Sequence, residues 1–320
     1  MSDRPASPTL PAPVWAEAFA PGSIGNVGPG LDVLGLAVAG AGDTVRVERT
    51  GQKTLVVADA GHPSLPTDPG RHAAALAADA VRRMADRPHT GAVLHVTKGL
   101  PLAGGQGGSA ASAAAGAGAM NALLGGPLTP DQLILAALEA EAIVAGRHAD
   151  NLAPSILGGL VLIRSLNPLD VVRLPVPPGL EVVLVHPHME FRTAEGRAAL
   201  PREIPRALAL HQAAQVGAIV AAAFLGDLGL LGRAIDDRLA EPARAPLLPG
   251  FAEAKRAALE AGALGCSISG SGPTVFAFVA DRVTGERAAT AMRAAYAGVG
   301  LASDARVALP DAIGLRVRTT

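Results

Sequence analysis

The chain has 320 residues, a formal net charge of −1 and a single cysteine, Cys266. This length predicts two domains. The scattered, balanced charge argues against nucleic acid or an anionic membrane surface as partners, and a lone cysteine excludes an intrachain disulfide or a cysteine metal cluster. Hydrophobic residues make up 49% of the chain and aromatic residues only 2%. Closely packed Ala, Val, Leu and Ile must therefore form the core, which favours a protein of mixed helix and sheet.

The N-terminal segment from Met1 to Pro13 is rich in proline and contains no apolar run long enough for a secretory signal. Elsewhere we find no stretch of about 20 apolar residues, the length that a membrane-spanning helix requires. The lone cysteine also suits a reducing compartment. We therefore expect a cytoplasmic protein that does not act at a membrane.

The first half of the chain is predicted to alternate strands and helices, with glycine-rich turns between them. Alternating patterns predict strands over 14–20, 44–48, 55–58, 92–97 and 159–164. Helical spacing of apolar residues predicts helices over 71–86, from the end of a glycine-rich loop to 124, and from 130 to about 145. Thr129 directly before Pro130 is typical of a helix N-cap followed by proline in the first turn.

The proline-rich segment 167–178 marks a domain boundary, which we place so that the domains span residues 1–168 and 169–320. The second half is predicted to contain strands at 182–186, 265–269, 274–279 and 313–318. Helices are predicted at 204–225, 248–262 and 284–297. This order is typical of an α+β layer, which we expect to carry its helices on one face of the sheet.

The loop from Pro101 to Gly108 places four glycines directly before a helix. Backbone N–H groups in such a loop can converge on phosphate oxygens, helped by the positive end of the helix dipole. The loop lacks the Gly-Lys-Ser/Thr ending of a P-loop, and no acidic residue follows about 20 residues later, as a dinucleotide site requires. The pattern predicts an anion site of another type, although a tight turn alone would also use glycines.

Polar side chains gather after this loop. Ser109 offers a hydroxyl ligand for magnesium, and the helix that follows offers a carboxylate from Glu139 or Glu141, which lie on different helix faces. Three hydrogen-bonding side chains, His148, Asp150 and Asn151, then occupy four positions, more polar chemistry than a turn needs. The alternatives are a helix cap for Ser109 and a solvated surface for the glutamates.

Two further groups have the chemistry to bind an amino acid. Asp32 on a glycine-rich turn can pair with an ammonium group, and Asn26 can bind polar groups nearby. Thr193 and Arg197 share one helix face at positions i and i+4, and Arg244 lies between two prolines, so two fixed guanidinium groups could bind a carboxylate. Taken singly, an Asx turn or a surface arginine would explain each residue equally well.

Five ordered segments between Ala20 and Thr274 resemble those of the galactokinase, homoserine kinase, mevalonate kinase and phosphomevalonate kinase (GHMP) superfamily. The loop keeps Pro101, Gly105, Gly107, Ser109, Ala110 and Ala111, but Gln106 replaces a leucine and Gly108 replaces the first of two serines. The other segments are 20–36, 146–159, 191–197 with 241–246, and 264–274. The last of these resembles the Ser-Gly-Ser-Gly-Pro-Thr motif of the superfamily and is expected to line the active site by backbone contacts.

The resemblance implies an α+β, two-domain GHMP-kinase fold, with a ribosomal S5 domain 2-like N-terminal domain and a ferredoxin-like C-terminal domain. It implies ATP and Mg²⁺ as cofactors, Ser109 and Glu141 as metal ligands, and a homodimer. The ATP-binding residues it implies are Pro101, Leu102, Ala103, Gly104, Gly105, Gln106, Gly107, Gly108, Ser109, Ala110 and Ala111.

Within the superfamily the segments are similar to those of homoserine kinases, which implies phosphorylation of L-homoserine to O-phospho-L-homoserine in threonine biosynthesis. The implied catalytic residues are Asn151, Asp150, His148 and Glu141, with Asn151 on the attacking hydroxyl and either Asp150 or water as proton acceptor. The implied substrate-binding residues are Asn26, Asp32, Thr193, Arg197 and Arg244.

Two other functions remain open from the sequence. Another kinase of the superfamily would act on mevalonate, shikimate or a sugar, and would not need a pair of carboxylate-binding arginines. A non-catalytic ATP or metabolite sensor would agree with the serine that is missing at Gly108. A nicotinamide oxidoreductase is disfavoured by the glycine spacing.

Overall fold

The structure is a computed structural model that describes residues 13–320. Of the proline-rich segment Met1 to Pro13, all but the last residue lies outside the described part. The first half contains strands β1 (Trp15–Gly25), β2 (Leu34–Arg49), β3 (Leu55–Asp59), β4 (Ala92–Thr97), β5 (Leu160–Leu166) and β6 (Leu169–Leu174). Its helices are α1 (Ala73–Met84), α2 (Gly108–Leu123), α3 (Pro130–Val144) and α4 (Leu152–Leu157).

The second half contains strands β7 (Glu181–Pro187), β8 (Gly265–Ile268), β9 (Val275–Val279), β10 (Ser303–Ala308) and β11 (Arg316–Thr319). Its helices are α5 (Thr193–Ala198), α6 (Arg206–Leu225), α7 (Leu228–Arg233), α8 (Ala240–Arg244), α9 (Phe251–Glu260) and α10 (Arg282–Gly298), with a short 3-10 turn at Ala245–Leu247. The combination of helices and sheets confirms the predicted α+β fold class.

The first sheet has the order β11-β1-β2-β4-β3, and the hairpin of β5 and β6 extends it from β2. Its neighbours are antiparallel except β3 and β4. Helices α1, α2 and α3 pack together over it, and α2 is buried along most of its length. Alanine and glycine permit this close packing: a Cβ added at Gly116 of α2 would lie 2.3 Å from the carbonyl oxygen of Ala74 in α1. A core built from small residues was predicted from the composition.

The second sheet is antiparallel with the order β10-β7-β9-β8. One face packs on α9 and α10 through alternate strand residues such as Val183 and Ala277. The expectation that all helices lie on that face is wrong, because the opposite face, with Phe276 and Phe278, packs on α6 and α7. Ile24 from the first half joins this second cluster, so one apolar core connects the two sheets.

The chain crosses between the sheets more often than a simple division suggests. Strand β6, beyond residue 168, pairs with β5, and β11 returns to pair with β1. The division at residue 168 stays a prediction. The proline-rich segment 167–178, which the sequence analysis assigned to the boundary, contains β6, a strand of the first sheet.

Within residues 13–320, α6 is the one helix that is long and apolar enough to span a membrane by length and composition. Only 22% of its most apolar window is buried. Gln212, Ile219, Ala222 and Ala223 form the side that faces the protein, while Leu210 and Phe224 are 64% and 67% exposed. The helix therefore buries one side against the protein and exposes apolar side chains on the other.

Candidate active site

A cleft of about 860 Å³ opens between the two sheets. It brings together residues that the sequence analysis selected from segments far apart along the chain: the 26–32 turn, the phosphate loop 101–108, the end of α3, the 148–151 segment, α5 and α8. All the predicted site residues line it except Gln106 and Ala111. The side chains of those two residues lie away from the cleft, and their assignment to the ATP site stays a prediction.

Ala111 is fully buried in the alanine-rich core under the first sheet. Its contribution to the loop is made by the backbone, where its N–H donates to the carbonyl of Gly107 over 2.8 Å. The side chain of Gln106 is 7% exposed and hydrogen-bonds to residues of the second sheet and its turn. Sequence spacing could not separate loop residues that face the cleft from those that face away.

The phosphate loop depends on glycine at specific positions. Gly107 is the N-cap of α2 with φ +70°, and an added Cβ would lie 2.4 Å from the hydroxyl oxygen of Ser23 and 2.9 Å from the amide oxygen of Asn151. Gly105 has φ +72°, and a Cβ there would lie 2.7 Å from the Gly272 backbone. Only glycine adopts such conformations freely and permits such close contacts. The two glycines therefore allow the loop to pack tightly at the start of α2, where its backbone N–H groups can bind an anion.

Lys98, at the end of β4, is a cleft residue that the sequence analysis missed. Its ammonium group donates to the carboxylate of Asp43, to the carbonyl of Gly108 over 2.9 Å and to the hydroxyl of Ser112 over 3.0 Å. Asp43 is fully buried, so it neutralises the lysine and holds it against the helix start. A single lysine before the glycine-rich loop was the only sequence signal for this network.

Glu141 lies at the centre of the cleft wall and is 1% exposed. Burial raises the pKa of its carboxyl from 4.5 to about 7, while His148 and the hydroxyl of Ser109 act in the opposite direction. Its Oε1 atom has no hydrogen-bond partner among the described residues. A buried carboxylate with a free oxygen, close to a serine hydroxyl, is a donor set that suits a hard divalent cation such as Mg²⁺.

Glu139, the alternative ligand, lies on the opposite side of α3. Its side chain is 47% exposed and accepts a hydrogen bond of 2.6 Å from Arg83. It does not line the cleft. The geometry therefore favours Glu141 over Glu139 as the carboxylate that faces the phosphate loop.

His148, Asp150 and Asn26 form a linked set. Asp150 Oδ1 lies 3.1 Å from His148 Nδ1, and Asp150 Oδ2 accepts 3.0 Å from the backbone N–H of Asn26. Although burial lowers the pKa of His148, the Asp150 and Glu141 carboxyls outweigh it, so the pKa is raised. The Nε2 atom of His148 has no partner among residues 13–320. The ring is thus oriented by Asp150, with its other nitrogen left available.

Asn151 begins α4, and its side-chain oxygen accepts 3.0 Å from the hydroxyl of Ser23 in β1. Because the oxygen is occupied by Ser23, the amide N–H groups remain to donate. An added Cβ at Gly107 would contact Asn151 at 2.9 Å, so the amide lies directly against the phosphate loop. The amide therefore lies at the junction of the phosphate loop and the start of α4.

The predicted amino-acid-binding residues also meet in the cleft. Arg197 forms a two-point ion pair with Asp32, with Nη2 to Oδ1 at 2.7 Å and Nη1 to Oδ2 at 3.2 Å. Asp32 has φ +60° and Asn26 φ +67°, conformations that Asp and Asn adopt more readily than most residues. The Asn26 side chain accepts from the N–H of Asp32 over 3.0 Å and fixes the turn. Thr193 starts α5, one turn before Arg197.

Arg244 is 3% exposed, and burial lowers its pKa. Its Nε donates to the carbonyl of Gly196 over 3.0 Å and its Nη1 to that of Gly270 over 2.8 Å. Asp237 accepts backbone N–H bonds from the three residues that open α8, Leu239, Ala240 and Glu241. The sequence analysis missed Asp237, which caps the short helix that carries Arg244.

Three buried side-chain atoms lack a hydrogen-bond partner within the described part of the chain: Glu141 Oε1, His148 Nε2 and Arg197 Nε. All three belong to residues that line this cleft. Since buried polar groups are nearly always satisfied, such a cluster indicates that the cleft binds a polar ligand. A phosphate loop, a carboxylate for a divalent cation and paired charges for a zwitterion together suit phosphoryl transfer to an amino acid.

Comparison with known proteins supports this chemistry. The family model described as GHMP kinases N terminal domain matches residues 72–159, and that described as GHMP kinases C terminal matches residues 218–298. The homoserine kinase of Chlorobaculum tepidum is 42% identical, with 94% of this chain and 98% of the relative covered. The homoserine kinase of Arabidopsis thaliana is 46% identical, with 96% and 86% covered.

A solved structure agrees in fold as well as in sequence. The crystal structure of homoserine kinase from Cytophaga hutchinsonii is similar with a TM-score of 0.93 and 37% identity. The similarity covers 98% of this chain and all of that chain. It therefore includes both sheets and every segment of the cleft.

Proposed function

Because the chain belongs to the homoserine kinases within the GHMP kinase family, we propose that its cleft transfers the terminal phosphoryl group of ATP to the side-chain hydroxyl of L-homoserine. The chain is a kinase that makes O-phospho-L-homoserine, a step of threonine biosynthesis. One observation carries the assignment of the cleft: the Asp32–Arg197 ion pair and Arg244 share a single cavity with the phosphate loop. The cavity can thus hold an amino acid and a nucleotide together.

The loop from Pro101 to Gly108 binds the ATP phosphates through its backbone N–H groups and the start of α2. Lys98, whose charge is paired with Asp43, donates to the carbonyl of Gly108 and so holds the same helix start in place. The two together compensate for the hydroxyl that Gly108 lacks. Positioning and electrostatic stabilisation of this kind supply most of the catalysis in phosphoryl transfer.

Magnesium is part of the proposal, and Ser109 with Glu141 would hold it. The unpartnered Oε1 of Glu141 and its raised pKa support this, since a nearby cation would favour the charged carboxylate. When bound, Mg²⁺ would neutralise charge on the phosphate oxygens. Glu141 and Ser109 supply hard oxygen ligands beside the phosphate loop.

Arg197 and Arg244 bind the carboxylate of homoserine, and Asp32 binds its ammonium group, with Asn26 and Thr193 beside them. This set explains selectivity for an α-amino acid over mevalonate, shikimate or a sugar, because none of those substrates carries both charges. His148, oriented by Asp150, points its free Nε2 toward the substrate.

Asn151 positions the attacking hydroxyl through its amide N–H group. The hydroxyl oxygen forms a bond to the γ-phosphorus of ATP, and the bond from that phosphorus to the oxygen of ADP breaks. Both oxygens of Asp150 already accept or share hydrogen bonds, so the proposal assigns the hydroxyl proton to water. Asp150 is then a positioning residue for His148 and the Asn26 turn.

We also propose a cytoplasmic homodimer. The outer side of α6 supports the dimer, because Leu210 and Phe224 flank a row of small residues, Ala213, Gly217 and Ala221, at helical spacing. A second copy of the same helix fits such a surface, since small residues permit close approach and the apolar side chains at each end cover one another.

The test of the function is ADP release by the purified chain with MgATP and a panel of L-homoserine, L-serine, mevalonate, shikimate and galactose. We expect turnover with L-homoserine at a kcat/KM at least about a hundredfold above the other substrates. Preference for another substrate would contradict the assignment of the arginines, and ATP binding without turnover would indicate a sensor.

A further inference from the structure

Gln106 belongs to the phosphate loop, but its side chain points away from the cleft. It is 7% exposed. Its Nε2 donates to the hydroxyl of Thr274 over 3.3 Å, and its Oε1 accepts from Nη2 of Arg306 over 3.3 Å. Both partners belong to the second half of the chain. A leucine at this position, which the family resemblance leads one to expect, would make neither bond.

Arg306 is a half-buried cation that has no acidic partner within residues 13–320. It lies on β10, the edge strand of the second sheet, and its Nη1 donates to the carbonyl of Ala39 in β2 over 2.6 Å. Burial lowers its pKa, and no carboxylate in residues 13–320 offsets that effect. A buried guanidinium needs acceptors for its N–H groups, and here they are the neutral oxygens of Ala39 and Gln106.

The backbone of the loop is attached to the same region. The hydroxyl of Ser269 donates to the carbonyl of Gly105 over 2.6 Å, and the N–H of Thr274 donates to that of Gly104 over 3.3 Å. The second sheet and its turn thus hold two carbonyls of the loop and the side chain of Gln106. The conformation in which the loop binds phosphate therefore depends on contacts from the second sheet.

We propose that Gln106 and Arg306 act as one positioning unit that holds the phosphate loop in its nucleotide-binding shape. Neither side chain lines the cleft in which the nucleotide is proposed to bind. The Nη1 atom of Arg306 donates to Ala39 in β2 and its Nη2 atom donates to the side chain of Gln106, so Arg306 links β2 to the loop. Because Gln106 is part of the loop, this link restrains the loop backbone. The proposal rests on the assignment of the loop to ATP and is independent of the acceptor substrate.

If Gln106 and Arg306 act as one unit, the effects of changing each residue on ATP affinity should not be additive. Gln106→Leu leaves a partly buried guanidinium with one acceptor fewer, and Arg306→Met leaves the Gln106 oxygen without a donor, so each change disturbs the loop. In the double variant the leucine and methionine can pack on each other, and the contact between the two positions no longer contains an unpaired polar group. The Ala39 carbonyl and the Thr274 hydroxyl each lose one donor, but each has already lost it in one of the single variants. The double variant should bind ATP no more weakly than Gln106→Leu alone.

The experiment is calorimetric titration with MgATP in the absence of homoserine, together with the melting temperature of each variant. We expect the Kd for ATP to rise about fivefold in each single variant and by no more than that in the double variant, while the KM for homoserine changes less than about twofold. Arg293→Met is the matched control, because Arg293 also donates to a β10 carbonyl, that of Ser303, but does not contact the loop. It should bind ATP as the unchanged chain does.

Two results would overturn the proposal: single variants with a lowered melting temperature and an unchanged Kd, which would show a structural role alone, or Kd changes that multiply in the double variant. Arg306→Lys tests the proposal even if Arg306→Met does not fold, because lysine keeps the positive charge and can donate to one of the two acceptors. The Kd of Arg306→Lys for ATP should lie between those of the unchanged chain and Arg306→Met. A lack of homoserine turnover by the unchanged chain would remove the proposed substrate and leave this titration valid.

Discussion

The carboxylate of Asp32 and the guanidinium of Arg197, 165 positions apart in sequence, form a two-point ion pair in the wall of the cleft. Without an amino acid bound, each group neutralises the other. A zwitterion offers a carboxylate to the arginine and an ammonium group to the aspartate, so binding exchanges one ion pair for two. A ligand with one charge would leave one of the two residues without its partner.

Arg197→Ala should raise the KM for homoserine by roughly tenfold to a hundredfold, as expected for loss of a charge-assisted, two-point contact that is partly exposed. The affinity for ATP should stay within about twofold, because the phosphate loop does not contact Arg197. Steady-state kinetics with each substrate varied in turn would measure both quantities.

The matched control for this prediction is Arg256→Ala, a surface arginine of α9 whose side chain is 67% exposed. It should leave both constants unchanged. In addition, 4-hydroxybutanoate, which lacks the amino group, should compete with homoserine only weakly. An unchanged KM for homoserine in Arg197→Ala would remove this residue from the substrate site.

Glu141→Gln should lower kcat by roughly a hundredfold or more, because the neutral amide is a poorer magnesium ligand than a carboxylate. Glu139→Gln is the control on the same helix and should retain kcat within about twofold, since Glu139 pairs with Arg83 on the surface. Raising the Mg²⁺ concentration should recover part of the activity of Glu141→Gln. Equal effects of the two changes would contradict the choice of Glu141.

Glu141 should also make the stability of the chain depend on pH in the absence of metal and nucleotide. Its pKa is about 7 in the folded chain against an ordinary value of 4.5, so the folded state binds the proton more tightly. Its favourable contribution is complete below pH 4.5 and is lost as the pH rises through about 7. His148, whose pKa is also raised, acts in the same direction.

We therefore expect the free energy of unfolding to fall by about 2 kcal/mol from Glu141 alone between about pH 5.5 and pH 8. Urea unfolding in the presence of EDTA at both pH values would measure it. In Glu141→Gln this contribution should disappear, which would make the variant more stable than the unchanged chain at the higher pH. A steeper loss of stability in Glu141→Gln would show that burial of this carboxyl does not raise its pKa.

Gly217→Arg should break the proposed homodimer without harming the fold. A Cβ added at Gly217 would meet nothing within 4 Å, and arginine favours a helix more than glycine does. Light scattering after size exclusion should show the mass fall from twice the 32.0 kDa of the chain to that of one chain. Gly298→Arg is the control, because Gly298 of α10 is equally open, and it should keep the mass of the unchanged chain.

Much of this protein could be predicted from the sequence because the signals are local. Thr129 and Pro130 predicted the start of α3, and the structure contains the capping box there. The strand predicted at 92–97 has those bounds, and the predicted helices at 71–86 and 204–225 match α1 and α6 within about two residues. Helix α4 was missed because six residues are too few to show a helical period, and β10 was missed although it is as long as the strand predicted at 92–97.

The fold class could be predicted from the order of helices and strands and from the family resemblance. The glycine loop before α2 and the residue types that suit a phosphate, a divalent cation and an amino acid could be predicted because each depends on neighbours within a few positions. Which of these residues meet depends on the tertiary structure. It turned Glu141 inward and Glu139 to the surface, joined Asp32 to Arg197, and turned Gln106 away from the cleft toward Arg306. Burial and distance between segments remote in sequence set those outcomes, and no local pattern contains them.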